Sequence, residues 1–413
     1  MSAAGRAFSI LKSEGLRSAV WRSAKFLSNH YSPFAVPPLS SDYMDDVIAV
    51  DWTKAKNFNA VPVGGRDGKY RIAWVISPPS RTSGGHQNAF RFMRFLEEAG
   101  HELTVYLYSP GKYPRVNVNE IRSVIKGMGG VPDLVGDMTV YDPAAGFAAG
   151  FDAIFASDWE TTYAAYHYEG NAKRFYFAQD FEPAFFAKGS DYVLAENSYR
   201  LGFHGIAAGR WLGEKLRSEY GMSCDVYDFA VDTSQYNNSN TRPRNEVVFY
   251  VRPPTPRRAT EFGLLALREL NRLRPDITIN LIGWDMAGYG VPFPHVNHKA
   301  VDSSQLDAIY NRCAAGLVIS LTNMSLLPME IMASGVVPVV NDAPNTRGVF
   351  DSPFIEYVPM SPKAIAERII AIVDRPDAVK HGAAIAHAVD DADWSDPAAD
   401  FIRHFEAAMR TAL

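Results

Sequence analysis

Three arginines follow one apolar run in Tyr250-Val-Arg-Pro-Pro-Thr-Pro-Arg-Arg258, where they can bind an anion. Prolines stiffen this loop, so Arg252, Arg257 and Arg258 would present guanidinium forks with little freedom left to lose, a match for phosphate oxygens. The alternative is a solvated basic turn. Ser325-Leu-Leu-Pro-Met-Glu330 is followed by Ile-Met-Ala-Ser-Gly335 and reads as a strand-to-helix junction, with Pro328 suited to a first turn. Backbone N–H groups around Ser325, Leu326 and Leu327 would favour a diphosphate. Glu330, one turn in, could accept from a ribose diol or merely complement the helix dipole. Ser83-Gly84-Gly85-His86 lies after another strand, where glycine lets backbone approach a phosphate or sugar oxygen closely, or simply makes a tight turn. Gln179, Asp180 and Glu182 follow the run Arg174–Ala178. They suit acceptor contact or general-base work, and equally loop capping or an interdomain hydrogen bond.

Other patterns are weaker. Gly127, Gly129 and Gly130 begin like a dinucleotide-binding loop, but Pro132 interrupts it and the segment follows a helix. Asp391-Ala-Asp393 has the form of a metal-holding pair, yet it precedes Trp394 after the last sheet element and reads as helix capping. The sequence has no GxxxxGK[ST], GxSxG or HExxH segment. Cys224 and Cys313 are the only cysteines, and neither has a metal-binding neighbour, so no metal or disulfide is expected and a reducing compartment fits.

Alternating elements must position these residues. Arg71–Ile76 reads as a buried strand, His86–Ala99 as a helix and His101–Tyr108 as the next strand, a βαβ unit and hence a parallel sheet. The alternation continues through Phe151–Ala156, Arg174–Ala178 and Asp191–Ala195 as strands. A polar stretch, Thr233–Arg244, reads as a linker about which two domains could close. A second block follows: strand Glu246–Val251, helix Glu261–Leu273, strand Ile277–Ile282, helix Ser304–Cys313, strand Gly316–Ser320, helix Leu327–Ser334 and strand Val336–Val340. The expected architecture is α/β, two Rossmann-like doubly wound domains facing a central cleft. Residues 1–65 would form an N-terminal helical extension and linker, 66–235 a first Rossmann-like domain, 240–390 a second and 391–413 a C-terminal helix.

With 413 residues, 47% hydrophobic and 21% charged, the chain can bury more than one core, which excludes disorder and a stapled mini-protein. A formal charge of −5 argues against a globally basic nucleic-acid binder. No stretch approaches the roughly 18–20 apolar residues of a membrane span, and five cations punctuate the first thirty residues, unlike a signal peptide. The expectation is a cytoplasmic protein. Residues 1–30 admit a basic amphipathic helix on the inner face of the plasma membrane, or a helix docked on the protein body.

These residues resemble a known family. The second block is similar to the donor half of a GT-B glycosyltransferase of family 4, with Arg252, Arg257 and the segment Thr322–Gly335 at the matching places. Phe229-Ala-Val-Asp232, Gly84-Gly85 and Gly100-His-Glu-Leu-Thr-Val105 resemble that family's first domain. Gly85–Asn88, Phe175–Pro183, Ala195–Gly205 and Tyr250–Arg258 are closer still to WsaF-type bacterial rhamnosyltransferases. The resemblance covers about residues 70–390. It implies a metal-independent reaction with retention: transfer of a sugar, rhamnose from dTDP-L-rhamnose or another nucleotide-sugar donor bound by the donor domain 240–390, to a glycan or lipid-linked glycan in surface polysaccharide synthesis, with 66–235 as the acceptor-side domain. Arg252 and Arg257 would stabilise the leaving diphosphate. One departure is Thr322, where the family has a sugar-contacting Glu. Alternatives are a nucleotide-sugar epimerase of the same fold and a non-catalytic nucleotide-sugar-binding protein.

Overall fold

The computed structural model describes residues 46–54, 68–80, 83–109, 116–128, 131, 133–301, 303–348 and 352–410. The chain divides into two compact units, one of residues 1–50 with 110–114 and one holding the remainder. The first is described only over 46–50, which contains a helical turn at 46–48. The basic stretch 1–30, most of the expected 31–65 linker, and Gly129 and Gly130 lie outside the described residues.

The larger unit contains two parallel sheets. The first has seven strands, β1 (Arg71–Ile76), β2 (Glu102–Leu107), β3 (Asp137–Val140), β4 (Ala153–Ala156), β5 (Lys173–Ala178), β6 (His204–Ala208) and β7 (Cys224–Tyr227), in the order β3-β2-β1-β4-β5-β6-β7. The second has six, β8 (Glu246–Tyr250), β9 (Thr278–Ile282), β10 (Val296–Lys299), β11 (Cys313–Val318), β12 (Val337–Asn341) and β13 (Glu356–Val358), in the order β10-β9-β8-β11-β12-β13. Each sheet reverses its winding beside its first strand, and a crevice opens there at the carboxyl ends.

The central strands are apolar throughout because helices cover both faces. All six residues of β5 and all six of β11 are buried. Aromatic rings fill the first core: Trp74 stacks on Phe155 at 4.5 Å, and Phe155 on Phe175 at 4.7 Å. The second core is aliphatic, built from Val247, Leu281, Leu317, Val339 and Ile369 among others.

One expected element needs correction. Asp191–Ala195 is not a strand but part of the helix Ser190–Ser198, which buries only Ala195 and Ser198. Five mixed residues do not distinguish a buried strand from a helix turn by periodicity. The final helix, Ser395–Arg410, joins the first core: Phe401, Phe405, Ala408 and Met409 pack with Trp74, Phe92 and Phe155. The chain thus crosses between the sheets twice, and the crossings meet where Val231 N donates to Ala392 O at 2.9 Å. Asp393 lies just before this helix and accepts from Ser395 N at 2.7 Å.

Candidate active site

The anion-binding candidates gather where the two switch points face each other. From the first sheet come the loop after β1, ending at Ser83, and the loop after β5. From the second come the loops after β8 and β11. Gly84 and Gly85 are not loop residues, since the helix Gly84–Glu98 starts at Gly84 with Ser83 as N-cap. A Cβ on Gly84 would meet nothing within 4 Å, so the backbone there faces open space. His86 is fixed at both ring nitrogens, Nδ1 to Ser83 Oγ at 2.7 Å and Nε2 to Ser77 O at 2.9 Å. Burial holds its pKa below the usual histidine value, so the ring is neutral, with Nε2 donating to the carbonyl.

The loop after β5 reaches across to the second domain. Asp180 Oδ1 accepts from its neighbour Phe181 N and from Asn323 N, both at 2.8 Å. Its Oδ2 accepts from Thr322 Oγ1 at 3.0 Å and from Arg257 Nε at 3.1 Å. Asn323 Nδ2 adds bonds to Gln179 O at 3.0 Å and Ala208 O at 2.8 Å. Gln179 turns its side chain back to its own domain, donating from Nε2 to Gly85 O at 2.9 Å and accepting from Asn88 at 3.1 Å.

Glu182 does not reach this junction. It starts a 3-10 turn, is 5% exposed, and accepts from Trp159 N at 2.7 Å. Burial first, and then the charge of Asp158, push its carboxyl well above the usual range. Buried and bonded to Trp159 within its own domain, it is not placed to act as the base expected from its position in the sequence.

The three arginines differ. Arg252 Nη1 donates to Tyr250 Oη at 3.0 Å, within its own strand-loop unit. Arg257 uses Nε on Asp180 and lays its guanidinium 3.7 Å from the Phe185 ring centroid, a cation–π contact with the first domain. Arg258 turns inward to Ser320 Oγ at 3.0 Å, and burial lowers its pKa. Ser320 Oγ donates on to Asn323 O at 2.8 Å, and Asn341 braces Ser320 through its backbone at 2.9 and 3.0 Å. The loop carrying Thr322 and Asn323 is therefore pinned from below by Arg258 and Asn341. Asn345 adds bonds to Ser320 O and Thr322 O.

The helix Leu327–Ala333 has Leu326 as N-cap without a side-chain cap hydrogen bond, Pro328 in its first turn, and Glu330 one turn in. Glu330 is half-buried, and lost hydration pushes its carboxyl up to about 7 despite the opposing charge of Arg91. Arg91 belongs to the first domain. It is 6% exposed, and its guanidinium lies 4.1 Å from the Trp394 ring centroid.

The structure thus joins Asp180 and Arg257 directly, places Gln179, Gly85 and His86 on the first-domain side, and puts Arg252, Ser325, Leu326, Leu327 and Glu330 on the second-domain side. Sequence reasoning missed Asn323, Ser320 and Arg91. Arg91 alone carried a signal, as a cation on the inward face of the helix Gly84–Glu98. Among the described residues no group of three or more His, Cys, Asp or Glu side chains could hold a metal ion. No helix among them is long and apolar enough to cross a membrane.

Residues 245–370 match the model of the WsaF C-terminal domain family. The O-antigen biosynthesis protein RfbC of Myxococcus xanthus is 31% identical over 284 residues, which is 66% of this chain and 22% of that protein. The chain therefore spans about a fifth of that relative's length. The fold is shared with Anabaena Alr3699/HepE, solved with UDP and glucose, at a TM-score of 0.60 and 12% identity over 83% of this chain and 100% of that one. It is shared with S. aureus TarM, solved with UDP, at 0.63 and 7% over 83% and 100% of the two chains. A putative UDP-N-acetylglucosamine 2-epimerase from Listeria monocytogenes gives 0.53 and 10% over 83% and 97%. These likenesses establish a GT-B fold of two Rossmann-like domains.

Proposed function

We propose that this GT-B protein, with a second domain of WsaF C-terminal type, is a glycosyltransferase of bacterial surface polysaccharide synthesis. It takes L-rhamnose from dTDP-L-rhamnose and transfers it with retention to a hydroxyl of a glycan or lipid-linked glycan. The observation that carries this reading is the arginine cluster at the carboxyl end of β8, facing the loop after β5 across a closed junction.

The reaction breaks the bond between the anomeric carbon and the donor's β-phosphate oxygen. It forms a bond from that carbon to the acceptor oxygen, and the acceptor's proton leaves with the departing diphosphate. Negative charge grows on that diphosphate, so fixed cations aimed at it are the main catalytic contribution. Arg252 and Arg257 supply them, aided by N–H groups at Ser325–Leu327, and Glu330 accepts from the ribose hydroxyls. Gly84, Gly85 and His86 line the sugar from the other side.

Retention is favoured because each candidate base is occupied. Asp180 already accepts from four donors, about the capacity of an ionised carboxylate. Glu182 is buried and His86 is bonded at both nitrogens. With Asp180 and His86 engaged and Glu182 buried away from the junction, the leaving phosphate oxygen is the natural proton acceptor.

The test is release of nucleoside diphosphate from a panel of nucleotide sugars, with and without a panel of glycoside acceptors. Acceptor-dependent release from dTDP-L-rhamnose alone is expected, with the anomeric configuration of the product read by NMR. Conversion of donor without any acceptor would establish an epimerase instead. Binding without turnover would establish a binding protein.

A further inference from the structure

Asp180 had two roles open to it in the sequence, a general base or an interdomain contact. Its geometry separates them. Side-chain exposure is 12% for Asp180 and 22% for Arg257, so their 3.1 Å ion pair is largely withdrawn from water. The guanidinium is gripped in a particular way. Its Nε–H is held by a first-domain carboxylate and its face by the first-domain Phe185 ring. Those contacts leave the two Nη groups, with four N–H donors, which is the edge that binds a phosphate bidentately.

We propose that Asp180 is a positioning residue, which from the first domain orients the Nη edge of Arg257 for the donor's diphosphate and so makes domain closure a condition of diphosphate binding. The inference rests on the glycosyltransferase reading for the identity of the anion, but not for the contact itself. Lysine could not replace Arg257, because one ammonium cannot satisfy Asp180, stack on Phe185 and still offer a paired fork. Thr322 and Asn323 belong to the same device. They hold the other lone pairs of Asp180 and fix the carboxylate's orientation.

Asp180→Asn isolates the effect. The amide keeps an acceptor for Phe181 N and Asn323 N, and the Thr322 hydroxyl can turn to accept from the new NH2, but Arg257 loses its partner. The full-length variant should bind dTDP more weakly, by a factor within the 5–150-fold range of intersite coupling, while dTMP binding changes little. Arg257→Lys should produce the same loss, and the double variant no further loss, because the two residues act as one unit. The pH–rate profile should keep its shape. Unchanged dTDP affinity in Asp180→Asn overturns the proposal. So does a collapse of kcat at normal affinity with loss of the acidic limb, which would make Asp180 the base.

A second measurement needs no nucleotide. In the ligand-free chain, Asp180→Ala should speed amide hydrogen exchange at Asn323, with exchange in the β12 core as the control for folding. Unaltered protection at Asn323 refutes the contact. If the natural chain binds no nucleotide yet this exchange changes, the glycosyltransferase reading and the diphosphate half of the proposal both fail, and only a structural latch remains.

Discussion

The guanidinium of Arg91 lies 4.1 Å from the ring centroid of Trp394, tying a first-domain helix to the segment by which the chain returns from the second domain. Arg91 is also the charge that opposes the upward shift of Glu330. Burial lowers its own pKa to about 10, which leaves it cationic at neutral pH.

Donor affinity should therefore depend on pH. Ionised Glu330 is the better acceptor for ribose hydroxyls, so affinity for a nucleoside diphosphate is expected to rise as pH passes through about 7. Arg91→Gln removes the charge that opposes the shift and should move that midpoint upward. Calorimetric titration from pH 5.5 to 9 checks both, and a flat profile in the natural chain would count against Glu330 as the ribose ligand.

The same shift affects stability. The folded-state pKa of Glu330 is raised from 4.5 to about 7, so its contribution is greatest below pH 4.5 and is lost as pH rises through about 7. Glu330→Gln should thus gain in melting temperature over the natural chain on going from pH 5 to pH 8. Parallel melting curves across that range would show that the carboxyl is hydrated.

Gly335 and Gly84 make a contrasting pair. Gly335 has φ +72°, and a Cβ there would come 2.8 Å from Gly382 O, a backbone atom that cannot yield cheaply. Gly335→Ala should cost more than about 1 kcal/mol. Gly84→Ala meets nothing within 4 Å and should leave the melting temperature near that of the natural chain. Any loss of donor binding in Gly84→Ala would then report on the site. Chemical denaturation separates the two.

The last helix should be indispensable to the first domain. Phe401 and Phe405 are fully buried in its core, so Phe401→Ala is expected to cost about 3–5 kcal/mol. A fall in the urea midpoint of the first-domain aromatic signal measures it. A loss confined to the second domain would contradict the packing.

Strands such as β1 and β11 were legible because both faces are buried and their residues are apolar almost throughout. The edge strands β3, with Asp137-Met-Thr-Val140, and β10, with Val296-Asn-His-Lys299, were not, since exposed edges need no apolar pattern. The helix Ser395–Arg410 was visible as an element, but nothing local says which sheet it covers. In the site, Arg252, Arg257 and Glu330 stood out because charge at strand ends and helix starts has a local signature. The contacts Asp180 makes with Thr322 and Asn323 did not, because those residues are 142 and 143 positions away and meet it only after both domains have folded.

Binding of a nucleoside diphosphate by the arginines after β8 is tested most directly by thermal denaturation with nucleotides. dTDP, UDP and GDP would be compared with their monophosphates, with EDTA present, for the natural chain and for Arg252→Gln. A ligand at about a hundred times its Kd stabilises the folded state by roughly 2.7 kcal/mol. The expected result is a clear upward shift with dTDP, a smaller one with dTMP, and loss of the difference in Arg252→Gln. No shift with any nucleotide, or equal shifts with mono- and diphosphates in both proteins, would contradict the claim.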